Sequence, residues 1–338
     1  MRKLLRAAAL GLALAGSLAG LARAEPTKLK FVLDWTVIGT HTPFSVALKN
    51  GIFAKHGLDV KIDRGYGSAD TISKVGNGTY DIGFADPNLL LQYNAKNPDA
   101  KVTMVFLLHD GSQSAIVARK ASKISSPKDL EGKKIGGAAG DNSRLLFPIY
   151  AKLAGVDDSK VTWITVQPQM KDTLLSRGDI DAVATLEPTT MLALKKYGNN
   201  PDDYISFRFS KLMPELLGTG VIVSERLIKE KPEAIRAFVA SVVDGMKYSL
   251  AHPKEAVATL AVLDPLVDVD NELARFNMGN EMAMSNPELK ASGLGATTPD
   301  RLKKAVNYIS SIANVPPPAD LKDIYNQDFL PPKADRMF

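Results

Sequence analysis

The 338-residue sequence contains no cysteine. That absence excludes disulfides, thiolate metal sites, a cysteine nucleophile and a lipid-bearing cysteine. Histidine is scarce: His41, His56, His109 and His252 stand singly, without the paired spacing of metal ligands, so no metal site is expected. Past the first residues no basic run exceeds Lys133-Lys134 or Lys195-Lys196, which leaves nucleic-acid binding without its electrostatic footprint. The apolar run AAALGLALAGSLAGLA is about 16 residues long, short of the roughly 20 that a spanning helix needs.

What that run does carry is an address. It follows the basic start MRKLLR and ends in Ala22-Arg23-Ala24, the small-x-small pattern of a secretory signal cut after Ala24. Arg2-Lys3 is not a twin-arginine pair, so the general secretory route and a free, unanchored product are expected. The formal charge of +5 is largely a property of this segment. Once Arg2, Lys3, Arg6 and Arg23 leave, 38 basic residues face 37 acidic ones. The 314 residues from Glu25 onward exceed what one core usually supports, so two lobes are expected.

From Leu29 the chain alternates short β-rich runs with helical stretches, which predicts βαβ units and largely parallel sheets. The character changes near Asp110–Ser114, where a second αβ series begins. GTGVIVSERL, at residues 218–227, reads as a strand returning to the first lobe, and the remainder is helical with a loose Pro-rich tail. The expected divisions are a signal at 1–24, lobe one at 25–112 and 221–338, and lobe two at 113–220. The connections near Ser112 and Gly220 form a two-stranded hinge.

Candidate ligand groups fall where strands end, the edge at which open α/β sheets bind ligands. Trp35, Thr40 and His41 lie on the loop before the helix opened by Pro43. The Trp35 indole either offers its face to a flat ligand or packs in the core. His41 either bonds a ligand or caps the helix. Tyr66 and Ser68, in GYGSAD, enter a helix whose free N–H groups suit an anion or carbonyl oxygen, or form a plain turn. Asp141, Asn142 and Ser143 repeat that construction in lobe two, where Gly136, Gly137 and Gly140 miss the dinucleotide-binding spacing, so no nicotinamide site and no cofactor are expected. Asp86 and Glu187 end strands in opposite lobes and face one cleft, each as ligand acceptor or as helix cap, with Ser112 at the hinge. Arg64 and Arg144 are the cations near these loops and are expected in solvent, which argues against a strongly anionic ligand.

Five phrases in register, LDWTVIGTHTPFSVALKNGIFAKHGLDV, GYGSADTISKVGNGTYDIGFAD, ISSPKDLEGKKIGG, GDIDAVATLEP and FLPP, resemble the periplasmic substrate-binding proteins of ABC importers. The branch is the one that handles thiamine-pyrimidine precursors, sulfonates and nitrate. The resemblance implies a type II-like two-lobed α/β fold, a solute held between lobes, and a permease and ATPase as partners of a monomeric receptor. It implies ring stacking by Trp35 and an acceptor at Glu187, although an aromatic often precedes that glutamate where this chain has Leu186. A planar, pyrimidine-like solute is therefore the expectation, with an organic anion (sulfonate, nitrate or aromatic carboxylate) as the alternative. Fungal relatives of the branch make the pyrimidine, an activity tied to a cysteine-rich segment that this chain lacks, so the expectation is a receptor and not an enzyme.

Overall fold

The computed structural model describes residues 25–284 and 286–338; the expected signal lies outside the described residues. The predicted alternation is realised as two five-stranded mixed sheets, one per lobe. β1 (Thr27–Val32) shows how the sequence selects its face: Lys28 and Lys30 point to solvent while Leu29 and Phe31 are buried. It pairs in parallel with β2 (Leu58–Asp63) and β3 (Ile82–Ala85). The first sheet is completed by β4 (Val102–Leu107) and by β10 (Gly220–Ser224), which runs antiparallel between β3 and β4. In order it reads β2-β1-β3-β10-β4.

The second sheet repeats this plan. β6 (Lys134–Gly137) lies parallel between β7 (Thr162–Thr165) and β8 (Ala182–Leu186). β5 (Ser114–Arg119) then runs antiparallel between β8 and β9 (Tyr204–Arg208). Each sheet thus takes in, one place from its edge, the strand that has just crossed from the other lobe.

The chain crosses between lobes at residues 108–113 and 209–219, and the crossings lie side by side. The Leu108 and His109 N–H groups both donate to the Thr219 carbonyl, at 3.1 and 3.0 Å. Gly218 permits this approach, since a Cβ there would collide with the His109 carbonyl oxygen.

The helix Pro232–Ala251, opened by Pro232, covers the first sheet. Its Phe238 ring meets Phe31 at 5.1 Å and stacks on Phe53 at 5.1 Å, and Phe44 joins Phe31 at 4.8 Å. Truncating so enclosed a ring removes about 3–5 kcal/mol. The tail expected to be loose is instead part of lobe one. Met104 donates to the Ile324 carbonyl and accepts from Asn326 N–H, both at 2.9 Å, which adds one parallel bridge to the free edge of β4. Tyr325 is fully enclosed, and its hydroxyl accepts from Leu107 N–H and donates to the Gly295 carbonyl. The prolines only prevent the tail from forming helix; they do not prevent it from packing.

Candidate ligand-binding cleft

The carboxyl ends of the parallel strands in both lobes face one another, and the loops leaving them build the site. Two adjoining pockets share Asp34, Asn142 and Leu186, and with the lobes in this arrangement their free volumes are about 10 and 20 Å³, room for about one water molecule each. The inner pocket lies against the crossovers, lined by Thr40, Asp86, His109, Ser112, Gln113 and Thr219 among others. The outer one takes in Trp35, Ser68, Asp141, Lys171, Thr185 and Thr189.

In lobe one, Asp34 follows β1 and is held from behind. His41 is fully enclosed, and its Nδ1 accepts from Ile38 N–H, so Nε2 carries the proton and donates to Asp34 Oδ1 at 2.8 Å. Asp86 follows β3. Its Oδ1 accepts from the Asn88 backbone and side chain, at 2.8 and 2.6 Å, and its Oδ2 accepts from Asn142 Nδ2 of lobe two at 2.8 Å. Burial pushes the Asp86 carboxyl up to about 6, even though these donors favour its charge. His109, bonded through Nδ1 to the Thr219 hydroxyl at 2.6 Å, is pushed down by burial to about 4 and is neutral at pH 7.

In lobe two, Asp141 opens the helix Asn142–Ala154 by accepting from Ser143 N–H at 2.9 Å. Burial raises its carboxyl, and the Lys171 ammonium, 3.6 Å away, opposes the shift. Lys171 is itself buried, donating to Thr185 Oγ1 at 3.0 Å and the Ala184 carbonyl at 3.2 Å. Its ammonium also reaches across the cleft to lie 5.3 Å from the centroid of Trp35. The lobes touch again where the two glycine turns meet: Gly67, at φ 123°, packs on Gly140 so closely that a Cβ would collide with the Gly140 carbonyl oxygen.

Seven of the eleven sequence candidates line the pockets: Trp35, Thr40, Ser68, Asp86, Ser112, Asp141 and Asn142. Four do not. His41 supports Asp34 instead of reaching the cleft. Tyr66 is half exposed, with Arg64 and Lys74 over its ring. The Ser143 hydroxyl is spent on the Thr185 carbonyl at 2.8 Å. Glu187 is claimed by Arg208, which grips both carboxylate oxygens from the end of β9. Nor are the two arginines read as solvated fully free. Arg144 donates to the Gly137 carbonyl and Thr165, both at 2.9 Å, and Arg64 has two buried nitrogens without partners. Asp34, His109, Gln113, Lys171 and Thr219 were not anticipated. For Asp34 a signal existed, since it stands between the buried end of β1 and Trp35.

A family model described as NMT1/THI5 like matches residues 39–256, more than half of the chain. The chain belongs to the NMT1/THI5-like family. Relatives of this NMT1/THI5-like protein include the 4-amino-5-hydroxymethyl-2-methylpyrimidine phosphate synthase of Candida albicans (strain WO-1). That enzyme is 26% identical over 260 residues, which cover 74% of this chain and 75% of the relative. The riboflavin-binding protein RibY of Chloroflexus aurantiacus is 24% identical over 322 residues, covering 91% and 88%. Among solved structures, a protein of Bordetella bronchiseptica RB50 superposes with TM-score 0.74 at 19% identity, over 90% of this chain and 96% of that one. The alkanesulfonate-binding protein SsuA from Xanthomonas axonopodis pv. citri, bound to MOPS, gives 0.69 at 15% identity, over 90% and 99%. At these identities the structures speak for the two-lobed periplasmic-binding-protein fold alone.

Proposed function

We propose that the protein is the periplasmic solute receptor of an ABC importer, and that it closes on a small, planar, nitrogen-bearing solute between its lobes. The observation that carries this reading is the make-up of the cleft. Asp34 and Asp86 of one lobe line the inner pocket, Asp34 lines the outer one with Trp35 and with Asp141 of the other lobe, and among the described residues no arginine lines either pocket. Carboxylates accept amino and ring N–H groups, while an indole face suits a flat ring. Closure about the paired crossovers places both sets of groups on one ligand, and the permease then recognises the closed form. The likeness to the riboflavin receptor and to the pyrimidine synthases fits a flat heterocycle.

An organic anion is the second reading, favoured by Lys171 in the outer pocket and by the alkanesulfonate receptor among the structural neighbours. It is weaker because the Lys171 charge is already matched by Asp141. The fungal synthases make catalysis a third reading, against which stands the absence of cysteine from the whole sequence.

Mass spectrometry of the small molecule that co-purifies from the periplasm tests the proposal directly. The solute should then raise the melting temperature of emptied protein by mass action. Trp35→Ala should weaken it by about 1–3 kcal/mol. Turnover of the compound by the purified protein would sink the receptor reading. A solute with no ring would sink the planar one.

A further inference from the structure

The inner pocket has an imbalance between acceptors and donors that goes beyond the receptor reading, on which the following rests. Asp34 is buried, and its Oδ1 is taken by His41; among the described residues no hydrogen bond reaches its Oδ2. Gln113, 5% exposed, is fixed by its Nε2 donating to the Gly279 carbonyl at 3.1 Å, and its Oε1 is enclosed with no partner. Asp86 completes the set as a second carboxylate, held through Asn88 and Asn142. A buried acceptor without a donor is unfavourable, and here one stands beside two carboxylates in a single pocket.

Among the described residues no lysine or arginine lines this pocket, although Asp34 also borders the outer one. His109 is the titratable base lining this pocket; its burial holds it neutral at pH 7, and its Nδ1 is committed to Thr219. Lys171 belongs to the outer pocket, where Asp141, Thr185 and the Ala184 carbonyl hold it. An anion entering the inner pocket would add a charge of the sign already present, in surroundings where like charges repel strongly. A cation with several N–H donors would fill the vacant acceptors and neutralise the carboxylates at once.

We propose that the inner pocket takes the positively charged end of the solute, a group with converging N–H donors such as an amidinium or a protonated amino-heterocycle, held between Asp34, Asp86 and the Gln113 amide oxygen. Asp34 supplies charge and Gln113 a neutral acceptor, while His41 fixes the orientation of Asp34. Trp35 in the outer pocket then meets the planar remainder of the same molecule.

Calorimetry on the full-length mature protein, freed of co-purified solute, tests this with probes matched in shape: benzamidinium and 4-aminopyridinium against benzamide, benzoate and benzenesulfonate. The two cations should bind at least tenfold more tightly than benzamide, and the two anions should not bind. Asp34→Asn should weaken benzamidinium at least tenfold, and Gln113→Leu by a smaller factor, with benzamide weakened less than benzamidinium by the loss of charge at Asp34. The wild-type series alone decides the matter if either variant fails to fold. Preference for benzoate or benzenesulfonate would overturn the cation assignment yet leave the receptor reading standing. So would silence toward both cations in a preparation that still binds its co-purified solute. Failure of the receptor reading would look different, since that requires turnover, or no solute at all.

Discussion

Replacing Asp86 by asparagine should reverse its effect on stability between pH 7 and pH 4. In the folded protein the carboxyl titrates near 6 instead of at its ordinary 3.8, because burial disfavours its charge. The folded state therefore holds this proton more tightly than the unfolded chain does. The favourable contribution is complete below the unfolded value and is lost as pH rises through 3.8 to 6. About two units at 1.36 kcal/mol each amount to about 3 kcal/mol of destabilisation at pH 7. Asparagine removes that penalty. It keeps an oxygen for the Asn88 donors but presents an amide where Asn142 Nδ2 donates, which costs about 1 kcal/mol. Asp86→Asn should thus stabilise by about 2 kcal/mol at pH 7 and destabilise by about 1 kcal/mol at pH 4. Urea unfolding at half-unit steps of pH reads the difference directly. His109 sharpens the test because it works in the opposite sense. Its folded value near 4, below the ordinary 6.5, means that stability rises with pH across that window. The two slopes oppose each other in the wild type, and the variant should expose the His109 rise. A mutational effect that is constant with pH, or destabilising at pH 7, would refute the account of Asp86 as a charge held against its burial.

Lys171→Met should destabilise by about 3–5 kcal/mol at pH 7, because it strands Asp141 as a buried charge. The loss should shrink as pH falls and Asp141 takes up a proton, a trend that thermal melts from pH 7 to 4 would follow. Gly67→Ala places a side chain at φ 123° against Gly140 of the other lobe. It should shift the solution ensemble toward open lobes, seen as a larger radius of gyration by small-angle X-ray scattering, and an unchanged radius would count against the contact. Tyr325→Phe removes the hydroxyl that bridges Leu107 and Gly295 and should cost about 1–3 kcal/mol in urea unfolding.

Local signals made the frame legible. The strand from Leu29, Pro43 at one helix start and Asp141-Asn142-Ser143 at another each rest on signals within a few residues, and the structure has them. What escaped depends on which strands become neighbours. Glu187 and Arg208 are 21 residues apart, and they meet because β5 lies between β8 and β9, with Ser114 opposite Leu186 and Ala115 opposite Arg208. No periodicity announces that order. Lys171 opens a short helix with a polar pattern that suits solvent, and it is buried because the lobes close over it. Gln113 sits on a crossover whose course is fixed by partners far away in sequence: Thr219 on the other crossover, Ala283, and Arg301, which holds Asp110. The tail was misjudged for a related reason, since proline was taken as a mark of looseness when Tyr325 and Phe329 supply the anchors.

The exchange of strands between lobes also orders events in time. The second sheet is built entirely from residues 114–208, so its lobe has all its strands as soon as that stretch is available. The first sheet begins 87 residues earlier, at Thr27, but has a gap between β3 and β4 until Gly220–Ser224 arrives, and its outer edge is bridged only by Gly295 and then Tyr325. A chain emerging from its amino end would therefore finish its second lobe first. The older half would wait, with β3 and β4 unjoined, until residue 220, and longer still for the tail that covers the edge of β4.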